Sequence, residues 1–69
     1  MEKFAKRLKE LRTQRNLSQM QLGLETGISQ SSIGAWEIAL SVPNAKAIIA
    51  LAKYFDVSSD YLLGLSDTI

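Results

Sequence analysis

The side chains able to do chemistry are few, and their types exclude more than they allow. The 69-residue sequence has neither histidine nor cysteine, so the usual general base, thiol nucleophile and soft metal ligands are missing. Asp56 and Asp60 are four apart but straddle a helix start, which suits solvation or a helix dipole better than a catalytic acid pair. Gly23, Gly27, Gly34 and Gly64 are scattered without a phosphate-loop pattern. No enzyme, no metal centre and no cofactor are expected. What remains is charge. Residues 1–15 carry Lys3, Lys6, Arg7, Lys9, Arg12 and Arg15 against Glu2 and Glu10, a balance of +4, whereas residues 16–69 carry two lysines against five acids, a balance of −3. A basic end favours a polyanion such as DNA; a solvated surface helix accounts for it equally.

The elements that would position these groups are marked by a repeated junction. An apolar residue precedes Ser or Asn, and another apolar residue follows four positions on: Leu17-Ser18 with Leu22, Ile28-Ser29 with Ile33, Pro43-Asn44 with Ile48, and Val57-Ser58 with Leu62. Each reads as a helix start, with the polar side chain accepting from a first-turn amide and the apolar pair acting as a hydrophobic staple. Gln21 completes a capping box with Ser18. Ahead of these, Phe4, Leu8, Leu11 and Arg15 fall at helical spacing. The expectation is an all-α chain of five helices, over about 2–15, 19–26, 30–37, 45–55 and 59–63, forming a single domain over 1–69. The core is expected from Leu8, Leu11, Leu17, Leu22, Ile28, Ile33, Trp36, Ile48, Leu51, Phe55, Val57 and Leu62.

Composition agrees with a folded chain. Hydrophobic residues at 46% and charged residues at 22% are near ordinary globular values and leave too much apolar material for disorder. Without cysteine, a chain this short must rely on well-packed helices. No apolar run approaches the roughly 20 residues that cross a bilayer, and the opening MEKFAKRLKEL is unlike a secretory signal. A cytoplasmic protein with no membrane association is expected. Gly27-Ile28-Ser29 is so short a link between the second and third helices that the two should form a helix-turn-helix, with Gly27 in the left-handed conformation.

The segment SQMQLGLETGISQSSIGAWE, residues 18–37, resembles the helix-turn-helix of the lambda-repressor and Cro-like family, also called the XRE family. The likeness extends through LKELRTQRNLSQ before the motif and the Pro43 turn and AIIALAKYFDVSSDYLLG after it. It implies a five-helix lambda-repressor-like DNA-binding domain and a transcriptional regulator, a repressor, binding double-stranded DNA with two-fold symmetry as a homodimer. Residues 30–37 would be the recognition helix, with Gln30, Ser31 and Ser32 facing bases or phosphates. Gln30 is the foremost reader, because its amide offers the donor and acceptor that match adenine N6 and N7. The resemblance further assigns Gln19 and Ser29 to the DNA backbone, Ala35 to the late face of the recognition helix, and Arg12 with Glu37 to a partly buried ion pair that orients it.

Several positions depart from the family. The stretch Ile38-Ala39-Leu40-Ser41-Val42 is apolar where relatives are polar and contain glycine, and Ala39 in glycine's place suggests that the third helix ends differently. The recognition helix has no Lys or Arg, and Gly34 is a poor helix former. Met20 and Leu24 share a face; with Ile38, Leu40 and Val42 they would either leave apolar surface for a protein partner or fold over the core. The alternative function is therefore a protein-interaction module, such as an antirepressor or toxin-antitoxin partner, with weak DNA affinity. A dimer surface is expected near Ile49 and Tyr61 to Leu65.

Overall fold

Each expected capping residue opens a helix in the computed structural model, which describes residues 1–69. The helices are α1 (Glu2–Gln14), α2 (Gln19–Thr26), α3 (Gln30–Glu37), α4 (Ala45–Phe55) and α5 (Ser59–Leu63). The side chains of Ser18, Ser29, Asn44 and Ser58 accept from the amides of Gln21, Ser32, Ala47 and Tyr61. The capping box is closed in both directions, Gln21 N donating to Ser18 Oγ at 3.0 Å and Ser18 N to Gln21 Oε1 at 2.8 Å.

The helix ends are as regular as the starts. After α1, α3, α4 and α5 a residue turns left-handed, and the next amide reaches back five residues: Leu17 to Arg12 O, Leu40 to Ala35 O, Val57 to Ala52 O and Leu65 to Asp60 O. These are Schellman closures. The left-handed residues are Asn16, Ala39, Asp56 and Gly64, with Gly27 serving α2 through a single bond to Gly23 O. The expectation that Ala39 changes the end of α3 is thus overturned. Ala39 takes φ 58°, because the two hydrogen bonds of the closure hold it there despite its Cβ. Leu17, Ile28 and Val57 each follow such a residue and precede the next serine cap, so one apolar side chain closes one helix and staples the next.

Phe4, Leu8, Leu22, Ile33, Leu51 and Leu62 are the largest fully buried side chains, joined by Trp36, Phe55, Ala47 and Ala52 in one core cluster. Leu11, Leu17, Ile28, Ile48 and Val57 are half-buried around it. The expected core lacked Phe4, which meets Trp36 edge-on at 6.2 Å, and the alanines. α1 packs on both α3 and α5, and three arginines, two within it and Arg15 at its C-cap, tie it to the rest. Arg7 donates to the carbonyls of Tyr61 and Ser66 and pairs with Asp67 while lying over the Tyr61 ring. Arg12 reaches α3, and Arg15 donates to the carbonyls of Tyr54 and Phe55 at the end of α4. No helix is long and apolar enough to cross a membrane.

Candidate nucleic-acid interface

The turn between α2 and α3 is tight because two glycines allow it. Gly27 takes φ 75°, left-handed backbone that costs glycine little. Gly23 lies under the turn, where a Cβ would stand 2.6 Å from Ile28 O. The start of α3 is thereby fixed against α2.

At that start, Ser29 Oγ accepts from Ser32 N at 3.2 Å and donates to Ser32 Oγ at 2.8 Å, with Ser31 Oγ 3.4 Å away. Ser29 and Ser32 are therefore engaged with each other. Gln30 and Ser31 are exposed, and the Gln30 amide makes no hydrogen bond within the chain. The first amides of a helix lack intrahelical partners and attract anions, so this turn offers donors from backbone and side chain together. Ala35 is half-buried and presents only a methyl group.

Arg12 and Glu37 are brought together as expected. Arg12 Nε and Nη2 meet Glu37 Oε2 and Oε1 at 2.7 and 2.9 Å, a two-point contact, while Arg12 Nη1 donates to Leu17 O at 2.7 Å. The Glu37 side chain is only 3% exposed. Hydrogen bonding to Glu37 raises the Arg12 pKa above its ordinary value, against the opposing effect of burial; the guanidinium stays charged throughout the range in which the protein is handled. Gln19 is half-buried, and its Nε2 donates to Glu37 Oε1 at 3.1 Å. The family resemblance assigned Gln19 to the DNA backbone, and the sequence gave no hint of this partner.

The charge pattern sorts by residue type. Arg7, Arg12 and Arg15 are turned onto the protein's own carbonyls and carboxylates. Lys3, Lys6, Lys9, Lys46 and Lys53 are exposed, and none forms an ion pair. Lys46, two residues past the Asn44 cap, lines an open cleft with Ser32, Trp36 and Ala47. Sequence reasoning passed over it; the available signal was its being the only cation between Arg15 and Lys53. Met20 and Leu24 are exposed beside a groove that also touches Gly27, Ile28 and Gln30, and Ile38, Leu40 and Val42 are exposed on the loop after α3. Ile49 and Leu65 are exposed, whereas Leu62 is fully buried and Tyr61 lies beneath Arg7.

The model of a family described as helix-turn-helix matches residues 8–62. Among curated proteins, the chain is 39% identical over 64 residues to the uncharacterized HTH-type transcriptional regulator YobD of Bacillus subtilis (strain 168), covering 93% of this chain and 57% of that protein. It is 35% identical over 66 residues to the HTH-type transcriptional activator BcrR of Enterococcus faecalis, covering 96% and 32%. It is 34% identical over 60 residues to the repressor protein C2 of Salmonella phage P22, covering 87% and 28%. The chain thus spans between about a quarter and three-fifths of the length of these relatives. No solved structure gives a significant match. Five helices in lambda-repressor-like order, with the tight α2–α3 turn inside the matched residues, place this chain in the helix-turn-helix family of the lambda-repressor and Cro-like (XRE) type.

Proposed function

We propose that residues 1–69 form one DNA-binding domain of a cytoplasmic transcriptional regulator, with α3 in the major groove and two copies on a two-fold operator. The observation that carries the reading is the opening turn of α3, exposed and mounted on a fixed α2–α3 turn, with Gln30 uncommitted inside the chain. Gln30 reads a base edge, and Ser31, Ser32 and the first-turn amides meet the base edges or the phosphates beside it. Ser29 serves chiefly as the cap that aims them. Ala35 borders the same groove through its methyl group, Lys46 meets a flanking phosphate, and Arg12 with Glu37 holds the scaffold. A single short helix with few base contacts discriminates poorly, which favours a homodimer with half-sites about one helical turn apart; Ile49 and Leu65 supply exposed apolar surface for it.

Selection of bound sequences from a random duplex library, repeated with Gln30→Ala, tests the reading. Loss of preference at one base pair supports Gln30 as a reader, and unchanged preferences remove it. A specific observation also favours a protein-interaction module: Met20, Leu24, Ile38 and Leu40 are between 57 and 79% exposed, a large apolar allowance for so small a chain. A salt titration separates the two, since DNA binding weakens with a slope near −0.9 per phosphate neutralised.

A further inference from the structure

We propose that Gln19 is a positioning residue for the DNA-facing surface, closing a hydrogen-bonded ring that fixes the first turn of α2 against the end of α3; this deepens, and rests on, the function proposed above. The ring runs from Arg12 Nη1 to Leu17 O, along the chain through Ser18 to Gln19, from Gln19 Nε2 to Glu37 Oε1, and from Glu37 back to Arg12. It joins three helices at one nearly buried carboxylate. Arg12 alone would hold Glu37 and the residue before the α2 cap, leaving α2 itself unattached to the end of α3.

Gly34 completes the device. A Cβ there would stand 3.2 Å from Gln19 Oε1, a tight approach that would push the Gln19 amide aside by a few tenths of an ångström, so the glycine leaves that amide its room. A glycine that weakens a helix interior thereby admits the strut. An amide has two donor hydrogens, and Glu37 engages one; whatever Gln19 offers a phosphate is offered from a side chain already oriented by α3. The consequence is that the two helix starts facing the duplex keep one relative placement.

The test uses the full chain and a duplex recovered by selection from a random library. Gln19→Met keeps length and removes both amide donors; Glu37→Gln and the double variant complete a thermodynamic cycle. Positioning through Glu37 predicts about tenfold weaker binding for Gln19→Met and a double variant hardly worse than Glu37→Gln. Additive losses mean that Gln19 acts as an independent contact to the duplex and overturn the inference. So does a melting-point loss with affinity unchanged below the transition. Gly34→Ala guards against misfolding of the polar variants, because alanine favours the helix: several-fold weaker binding at an equal or higher melting temperature supports the ring, and full affinity overturns it. A parent chain without salt-dependent affinity for any duplex overturns the regulator reading and this inference together, whereas a binding parent with no coupling between positions 19 and 37 overturns the inference alone.

Discussion

Ala39→Gly should stabilise the protein although it deletes a methyl group and adds no contact. Ala39 sits at φ 58° on the exposed loop after α3, held by its own hydrogen bond to Trp36 O at 3.1 Å and by that of Leu40 to Ala35 O at 2.8 Å. An L-residue with a Cβ in this region is strained by about 1–2 kcal/mol, and glycine is not. Against this, glycine loosens the unfolded chain, at a cost of about 0.4–1 kcal/mol. The midpoints leave a gain of roughly 0.8 kcal/mol. For a domain of this size that raises the melting temperature by about 3–6 °C. Urea unfolding followed by circular dichroism is the direct assay, with the midpoint displaced upward and m unchanged. Asn16→Gly and Asp56→Gly are the controls, since Asn and Asp tolerate left-handed backbone and the same exchange there should gain less. An Ala39→Gly variant as stable as the parent, or less stable, would refute the reasoning that strain is stored at this closure.

Glu37→Ala strips the carboxylate from a guanidinium whose side chain is 12% exposed; breaking such a pair costs ~3–5 kcal/mol, enough to bring a domain this small near unfolding at room temperature, and a variant that melts like the parent would contradict it. Gly23→Ala should destabilise more than Gly27→Ala, because a Cβ at 23 meets backbone at 2.6 Å, whereas one at 27 meets nothing within 4 Å and carries only the strain of left-handed backbone, about 1–2 kcal/mol; thermal melts giving the reverse order would discard the proposed role of Gly23 in the turn. Arg7→Met should cost about 1–2 kcal/mol through lost hydrogen bonds to the α5 end, with faster amide exchange confined to residues 64–68. Leu22→Ala empties a fully buried site and should cost about 2–5 kcal/mol in denaturant titrations.

The helix starts were legible because a cap is a local bargain between one side chain and an amide three residues on, and Ser18, Ser29, Asn44 and Ser58 all keep it. The ends were less so. Gly27 announces itself, but Asn16, Ala39 and Asp56 take the same conformation without a glycine to mark it, since the closing hydrogen bonds overrule local preference. At the candidate site, the exposed turn of α3 and the Arg12–Glu37 pair followed from the family resemblance. Arg7 and Arg15 did not reveal their partners, which lie 39 to 60 residues away along the chain and depend on how α1 packs. Ala5, Ala47 and Ala52 were missed as core because alanine suits a helix on any face. Gln19 was read as facing outward; its hydrogen bond to Glu37, made beside Gly34, turns the amide back onto the protein.

Architecture and long-range attraction draw on different side chains here. The guanidinium groups knit the helices, while the ammonium groups stand free in solvent. Acylating the lysines would dim the molecule's electric field by degrees and leave its internal bracing intact. An Arg-to-Lys exchange within α1, formally silent in net charge, would do the opposite: an ammonium lacks the planar fork that Arg12 uses against two carboxylate oxygens and a carbonyl at once. Drift in lysine number and position is thus cheap for the fold, and the approach to a polyanion can be retuned through lysines while the three arginines stay where they are.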